Sequence, residues 1–345
     1  MKAVLWPFTY KDMQASWAKQ MVWLANSLKK FGCDVKLHPD FVCKGLEHFP
    51  KYDALTDQDA DICVYNHTDE SKIIGHVLPA KCNWFFKPTV PDEVHTTLDE
   101  LGYGPYSSIT YEKPDFEEGV IPFYFKRQIE SWIESKICKW GNILKHETEV
   151  QEKDYYLVLG QCGGDSVVTQ YDFGNYFTKL EQVITELVRV GDRPVVVKLH
   201  PFTDGREGTV NYKPGYLLSK SLKTKYEAIS PKVKVYYGKA SLHNFVEGAR
   251  CVLLANSGAG FEVMMHGKPI IAWGLPEYHW ITYDLRHLAS LRNALTLDWF
   301  DRDLQDKYLY WYMEQYCFFD QSSCDKRVAE LLKKSFKKHL HDPYA

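Results

Sequence analysis

The stretch from Cys251 to Thr282 constrains the fold of this chain more than any other. It begins with an apolar run, Cys251–Ala255, that predicts a buried strand. A Ser257-Gly258 turn then opens a helix, and a second apolar run, Pro269–Trp273, predicts the next strand. Ser257 stands where an N-cap residue is expected, and its hydroxyl can bind either the helix or an anion. This strand–helix–strand order predicts a parallel sheet that binds ligands at the carboxyl ends of its strands.

The same alternation continues on both sides of Lys145–Asp154, a charged segment without periodicity that we interpret as a linker. Apolar and β-branched runs predict strands at Ala3–Phe8, Asp34–Leu37, Asp61–Asn66, Cys82–Phe86, Tyr155–Leu159, Val195–Leu199 and Val233–Tyr237. Helical spacing predicts helices at Gln14–Phe31, Ser71–Leu78, Pro122–Trp140, Asn175–Val190, Leu242–Gly248, Trp299–Phe319 and Asp325–His341. The polar segment Pro88–Tyr111 is predicted to be a long loop. The pattern therefore indicates two α/β halves with a helical tail.

Composition narrows the class of protein. The 345 residues exceed what one hydrophobic core usually carries, so two domains are expected. A formal net charge of -3 gives no field that would draw nucleic acid. The nine cysteines are scattered without a C-x-x-C pair, which favours reduced thiols over a disulfide framework or a zinc site. Neither a signal-peptide pattern nor a membrane-length apolar run is evident, so we expect a cytoplasmic protein with at most peripheral membrane contact.

Four predicted strands of the second half end in candidate ligand-binding residues. These residues are Gln161 and Asp165 beyond Tyr155–Leu159, Lys198 and His200 at the end of Val195–Leu199, Asn256, Ser257 and Glu262 beyond Cys251–Ala255, and Gly274 and Tyr278 beyond Pro269–Trp273. In a doubly wound sheet these loops lie along one edge. Each motif is common when taken alone, and their joint order is the stronger signal.

The residue types suit a phosphate and a ribose. His200 and Lys198 can neutralise a diphosphate or phosphodiester leaving group, which lowers the barrier to its departure. Ser257 and the backbone N–H groups of Gly258–Gly260 can bind the same oxygens. Glu262, about one turn into the helix, can accept hydrogen bonds from ribose hydroxyls, as an acidic residue does in dinucleotide-binding folds.

The sequence leaves the catalytic base open. Asp165 lies on a glycine turn and is a candidate nucleophile or base. A base can instead come from the first half of the chain. Asp12, His67, Asp69 and Glu70 lie near predicted strand ends there and are the candidates.

Four motifs carry a resemblance to a known family. They are Gly-Gln-x-x-x-Asp from Gly160, Lys-x-His-Pro from Lys198, Ser-x-x-Gly-Phe-Glu-x-x-x-x-Gly-Lys-Pro from Ser257, and Gly-x-Pro-x-Tyr from Gly274. In this order they resemble the capsule polysaccharide synthesis family. Its best-known members are the Kdo transferases that build the lipid-linked anchor of bacterial capsules. The resemblance covers roughly Tyr155–Thr282.

The resemblance implies a GT-B fold, in which two Rossmann-like domains face each other across a cleft. Residues 1–145 would form the acceptor domain and residues 155–298 the nucleotide-sugar domain, with helices in 299–345 packing back on the first domain. It also implies metal-independent transfer of a sugar from a nucleotide-sugar donor to a glycan acceptor, with no further cofactor.

The resemblance also implies roles for individual residues. His200 and Ser257 would contact the donor phosphate, and Glu262 would contact the ribose. Gln161 and Asp165 would lie on the sugar side of the site. In the Kdo enzymes an aspartate at the position that matches Asp165 acts on the anomeric carbon in a retaining mechanism.

Three departures from the family pattern lie near the sugar rather than the phosphate. Gly164 precedes Asp165 where the family has paired acids, and Leu199 replaces a proline. His279-Trp280 follows the last tyrosine where the family has Gly-Trp-Gly. In these respects the chain looks more like divergent relatives in large algal DNA viruses. We therefore expect a nucleotide-sugar glycosyltransferase, with a UDP-sugar slightly favoured over the alternative, a CMP-Kdo-dependent retaining Kdo transferase.

Other classes fit less well. A GT-A transferase needs a metal-binding Asp-x-Asp after a strand, whereas Asp57, Asp59 and Asp61 precede one. P-loop and Gly-x-Ser-x-Gly motifs are missing, and Gly258-x-Gly260 is an incomplete dinucleotide fingerprint. A non-catalytic nucleotide- or sugar-binding protein with a relict GT-B fold remains the non-enzyme alternative. Retention of the charged site residues together argues against it.

Overall fold

A computed structural model describes residues 1–6, 18–39, 45–53, 60–66, 80–89, 92, 94–138, 150–163, 165–169, 175–204 and 218–340. The chain divides into two units. The first comprises Met1–Pro114 and Tyr310–Ala345, and the second comprises Asp115–Leu309. The division thus falls between residues 114 and 115, earlier in the chain than the predicted linker, half of which lies outside the described residues.

The first unit is built on a five-stranded sheet. Its strands are β1 (Lys2–Trp6), β2 (Asp34–Leu37), β3 (Ala60–Asn66), β4 (Ala80–Pro88) and β5 (Thr96–Asp99). They lie in the order β2-β1-β3-β4-β5, and every neighbouring pair is parallel except β4 and β5. Apart from the antiparallel β5, this is the order of doubly wound nucleotide-binding folds.

The predicted long loop at Pro88–Tyr111 is wrong, because the segment holds β5, a 3-10 turn at Gly104–Tyr106 and helix α2 (Ser108–Tyr111). A buried carboxylate explains why so polar a segment is ordered. Asp99 is fully buried, and its Oδ1 accepts hydrogen bonds from the backbone nitrogens of Leu101 at 2.8 Å and Ser108 at 2.9 Å. Its Oδ2 accepts from the hydroxyl of Tyr316 at 2.8 Å.

The second unit is built on a six-stranded sheet. Its strands are β6 (Tyr155–Leu159), β7 (Val195–Lys198), β8 (Val233–Tyr236), β9 (Ala249–Leu254), β10 (Ile270–Ala272) and β11 (Tyr283–Asp284). Their order is β11-β10-β9-β6-β7-β8, and all neighbouring pairs are parallel. The adjacent inner strands β6 and β7 are buried along their whole length, as expected for a parallel sheet covered on both faces. The prediction of an α/β chain with two Rossmann-like sheets is confirmed.

The helices connect and cover these strands. Besides α2 they are α1 (Ala18–Lys30), α3 (Phe123–Glu134), α4 (Ser166–Thr169), α5 (Tyr176–Val190), α6 (Leu218–Glu227), α7 (Leu242–Glu247), α8 (Gly260–Met265), α9 (Leu291–Ala294), α10 (Arg302–Trp311) and α11 (Gln321–Leu340). Asn175 caps α5 by accepting a hydrogen bond from the Thr178 backbone nitrogen. The helix predicted at Ser71–Leu78 lies outside the described residues.

Two predicted helices end early. The helix predicted to reach Trp140 stops at Glu134, and Lys136, just beyond it, has a positive φ of 50°. The predicted aromatic helix is α10 followed by a π-helical turn at Tyr312–Tyr316. In both cases a change of backbone conformation ends the α-helix, although the apolar pattern of the sequence continues further along the chain.

The last helix belongs to the first unit. It packs against α1, and Val328 and Leu331 are buried in one core with Leu24, Leu28 and Trp84. Within the described part of the chain no helix is long and apolar enough to cross a membrane. The same residues contain no group of three or more His, Cys, Asp or Glu side chains that could hold a metal ion.

Candidate functional site

The second sheet has one topological switch point. The chain begins at the central strand β6, runs outward through β7 and β8, and then returns to β9 on the other side of β6. In open α/β sheets of this order, ligands bind outside the carboxyl ends of the strands where the order reverses. The loops after β6 and β9 meet at this point, with those after β7 and β10 beside them.

A reciprocal amide pair joins the two central loops. Nε2 of Gln161 donates to Oδ1 of Asn256 at 3.0 Å, and the backbone nitrogen of Asn256 donates to Oε1 of Gln161 at 3.1 Å. Nδ2 of Asn256 also donates to the carbonyl of Val167 at 2.9 Å. Both amide side chains are buried, so these hydrogen bonds replace those that water would make. The pair therefore fixes the separation of the two loops at the switch point.

A second contact joins the β6 and β7 loops. Sγ of Cys162 lies 3.0 Å from Nδ1 of His200, and the backbone nitrogen of Phe202 donates to the same nitrogen at 3.2 Å. His200 is partly exposed at this edge of the sheet. The structure thus holds the predicted phosphate-binding imidazole against the loop that carries Gln161.

The loop after β9 differs from its prediction in one respect. The helix begins at Gly260 and Ala259 is its N-cap residue, so the prediction of Ser257 as the N-cap is wrong. Ser257 instead opens a turn, because its Oγ accepts from the Ala259 nitrogen at 3.2 Å and its carbonyl accepts from the Gly260 nitrogen at 3.1 Å. Gly258 is exposed at the tip of this turn.

The buried Tyr278 side chain packs against the Ser257 turn and stabilises it. Its hydroxyl donates to the carbonyl of Ser257, and its ring packs edge-on against Phe261 with centroids 5.1 Å apart. A Cβ added at Gly260 would lie 2.1 Å from the Tyr278 hydroxyl oxygen, so only glycine fits there. Gly274, in the same loop as Tyr278, is partly buried.

Lys198 is directed into the protein. Its Nζ donates to the carbonyls of Leu199 at 2.9 Å and Gly238 at 3.0 Å, and the residue is only 5% exposed. Burial lowers the pKa of Lys198 to about 8. In this structure its ammonium ties the end of β7 to the loop that follows β8.

The two carboxylates predicted for the donor side have contrasting surroundings. Asp165 is exposed, and its Oδ1 accepts from the Val167 backbone nitrogen at 3.4 Å at the start of α4. Glu262 is buried at 6% exposure on α8. The candidate bases of the first half, Asp12, His67, Asp69 and Glu70, lie outside the described residues, in segments that follow β1 and β3.

Two residues of the site were not singled out by the sequence. Cys162 touches His200, and the hydroxyl of Tyr176 accepts a hydrogen bond from the backbone nitrogen of Gln161 at 2.8 Å. The position of Cys162 inside the first motif was the available signal. Tyr176, the first residue of α5, has an aromatic side chain that fits a core position equally well.

Comparisons with known proteins identify the family. One family model, with the description "capsule polysaccharide biosynthesis protein", matches residues 124–317. This range is more than half of the chain and includes all four motifs. The chain therefore belongs to this family, and the resemblance predicted from the motif order is confirmed. The chain contains two Rossmann-like units, which is the domain composition of the GT-B fold class.

Solved structures resemble the chain at low sequence identity. The β-Kdo 2,4 transferase of Thermosulfurimonas dismutans KpsC is 15% identical with a TM-score of 0.49, and the match covers 91% of each chain. The β-Kdo 2,7 transferase of the same protein is 12% identical with a TM-score of 0.49, covering 96% of this chain and 99% of that one. Anabaena HepE in complex with UDP is 12% identical with a TM-score of 0.41, covering 97% and 100%. No curated protein matches the chain in sequence.

Proposed function

We propose that this protein is a GT-B glycosyltransferase that moves a sugar from a nucleotide-sugar donor to a hydroxyl of a growing glycan. The donor nucleotide binds at the switch point of the second sheet, and a UDP-sugar is slightly favoured. No metal ion or further cofactor takes part. The protein acts in the cytoplasm.

One observation carries this proposal. The loops after β6, β7 and β9 meet at the switch point, and hydrogen bonds from Gln161 to Asn256 and a contact from Cys162 to His200 join them. A bound anionic ligand gains most where its partners are already held in place, because little order has to be created on binding. Membership of a capsule polysaccharide biosynthesis family also supports a function in sugar transfer.

The family resemblance suggests the proposed roles, and the contacts of His200 and Ser257 are compatible with theirs. His200 donates a hydrogen bond to a donor phosphate oxygen, which stabilises the leaving nucleotide as negative charge develops on it. Ser257 contributes its own hydroxyl proton to the phosphate, since an oxygen that accepts from Ala259 can still donate. Glu262 binds the ribose, and the exposed Asp165 lies on the sugar side.

The exposure of Asp165 supports a second candidate function. A CMP-Kdo-dependent retaining transferase would use this exposed carboxylate at the anomeric carbon. The two candidates differ in the base of the donor nucleotide, so a binding measurement separates them.

A thermal-shift panel of UDP, CMP, GDP and their sugars, run in EDTA, tests the proposal. A ligand that binds only the folded protein raises its melting temperature, by a stabilisation of about 2.7 kcal/mol at a hundred times Kd. We expect uridine compounds to give the largest shift. A cytidine-only shift would favour the Kdo alternative, and no shift with any nucleotide would contradict the proposed function.

The substitution His200→Ala should abolish sugar transfer from the stabilising donor to oligosaccharide acceptors while leaving the protein folded. The matched control is His287→Ala, which removes an exposed histidine of the same unit. Full transfer by the His200 variant would refute the assigned phosphate role. Loss of transfer in EDTA, restored by a divalent ion, would refute metal independence.

A further inference from the structure

The surroundings of the His200 ring determine where its proton resides. The backbone N–H of Phe202 points at Nδ1 with a nitrogen–nitrogen distance of 3.2 Å. A backbone N–H can only donate, so in this ring orientation Nδ1 is the acceptor and carries no proton. In the neutral ring the proton is then on Nε2.

The thiol of Cys162 makes the second contact with that nitrogen. Its Sγ lies 3.0 Å from Nδ1 of His200 and 3.3 Å from the carbonyl oxygen of Phe202. A thiol carries one proton, which it can give to either acceptor, and with both choices Nδ1 remains unprotonated. The sulfur therefore bridges the loop after β6 to the backbone that follows His200.

The ionisation state of Cys162 agrees with this geometry. Burial is the main cause that raises the pKa of its thiol to about 12, and the nearby Asp165 carboxylate acts in the same direction. The sulfur is thus a neutral donor at physiological pH. A thiolate, by contrast, would draw a proton onto Nδ1 and make the ring an imidazolium.

Packing restricts the ring further. The Phe202 ring lies 5.7 Å from the His200 ring, centroid to centroid, with the planes tilted by 48°. Rotation of the imidazole about its Cβ–Cγ bond would lose both Nδ1 contacts. The ring is therefore held in one orientation by groups from two adjacent loops.

From these contacts we infer that Cys162 is a positioning residue, which holds His200 as the neutral tautomer that donates through Nε2. The consequence for catalysis rests on the proposed function: the phosphate oxygen of the donor receives its hydrogen bond from Nε2. The tautomer itself does not depend on that function.

Long-range proton–nitrogen NMR of the uniformly nitrogen-15-labelled full chain tests the tautomer directly. The His200 signals are identified by their loss in His200→Gln. We expect a protonated Nε2 and an unprotonated Nδ1 in the unsubstituted protein at pH 7.5. A protonated Nδ1 would overturn the inference without any further variant.

Substitutions then isolate the sulfur. Cys162→Ala removes the contact that keeps the ring turned towards the Phe202 N–H. It should therefore replace the single tautomer signal with an average of both forms and lower kcat/KM for transfer by about tenfold. Cys162→Ser retains a donor and should restore both the signal and most of the activity. Cys251→Ala, which truncates a fully buried cysteine in β9, is the matched control and should leave the His200 signal unchanged.

The outcomes separate the two proposals. An unaltered His200 signal in Cys162→Ala would show that Phe202 alone sets the tautomer, and the inference about Cys162 would fail whatever the transfer assay gives. A signal that depends on Cys162 in a protein that transfers no sugar would uphold the positioning role while the proposed function failed.

Discussion

At the scale of single residues, the fit between Gly260 and Tyr278 is the least tolerant contact of the candidate site. A methyl group at Gly260 would lie 2.1 Å from the Tyr278 hydroxyl oxygen, and that ring is buried against Phe261. Gly260→Ala should therefore lower the free energy of unfolding by about 1–3 kcal/mol, the usual cost of overpacking. It should also abolish the nucleotide-induced thermal shift, because Tyr278 supports the Ser257 turn.

Gly119→Ala is the matched control in the same unit, since the added Cβ would lie 3.5 Å from its nearest neighbour, an ordinary contact. Urea unfolding of both variants measures the difference. Equal stability of the two would show that Tyr278 can move aside, and the Ser257 turn would then not depend on it.

Residue types predicted the loops of the site but not the direction of every side chain. Lys198 and Tyr278 have the polar atoms expected of ligand-binding residues, yet both are buried with those atoms bonded to backbone carbonyls. A sequence motif shows which chemical group stands at a strand end. Whether the group points outward depends on neighbours such as Gly238 and Ser257, which come from other strand ends.

At the scale of elements, the strands were the most predictable part. All four strands of the first unit that the sequence predicts are present, because runs of β-branched and apolar residues suit a doubly covered parallel sheet. The strand β5 was missed, since its order depends on the buried Asp99 and on Tyr316, more than 200 positions away. Contacts so distant in sequence leave no periodic pattern.

A histidine pair links three segments of the second unit and predicts acid sensitivity. His243 lies on α7, and its Nε2 donates to the carbonyl of Ile137 at 2.8 Å. The neutral His243 ring has only this one N–H, so its Nδ1 accepts a hydrogen bond from Nε2 of His266, the residue directly after α8, at 2.8 Å. Burial, followed by repulsion from His243, Lys268 and Arg302, lowers the pKa of His266 to about 4. The same desolvation lowers the pKa of His243.

The sign of the pH dependence follows from these shifts. The unfolded chain binds a proton at His266 near pH 6.5, whereas the folded chain does so only near pH 4. Stability is therefore full above about pH 6.5 and falls as the pH drops towards 4, by about 2–3 kcal/mol for this group. His266→Gln should make urea-unfolding free energies less dependent on pH across that window.

The exposed His287 provides the comparison, because His287→Gln should leave the acid loss unchanged. An acid loss of the same size in His266→Gln would mean that other groups account for it, and the histidine pair would then have no part in acid sensitivity.

At the scale of the whole molecule, the first unit is discontinuous in sequence. It takes its sheet from the beginning of the chain and α11 from the end, with the entire second unit in between. In the first core, Leu331 and Val328 of α11 are buried with Leu24 of α1. The apolar spacing of α11 predicted a buried face, but only the fold identifies the surface that covers it.

This arrangement predicts a local effect from a substitution near the carboxyl terminus. Leu331 is 3% exposed in the first core, so Leu331→Ala should cost about 2–4 kcal/mol through lost burial and the cavity left behind. Hydrogen exchange read by mass spectrometry should show faster exchange in peptides from β1, β3 and β4, while peptides from β6 and β9 keep their protection. Lys333→Ala, at an exposed position on the same helix, should change neither set. If β6 and β9 lost protection to the same extent, the two units would unfold as one cooperative unit rather than separately.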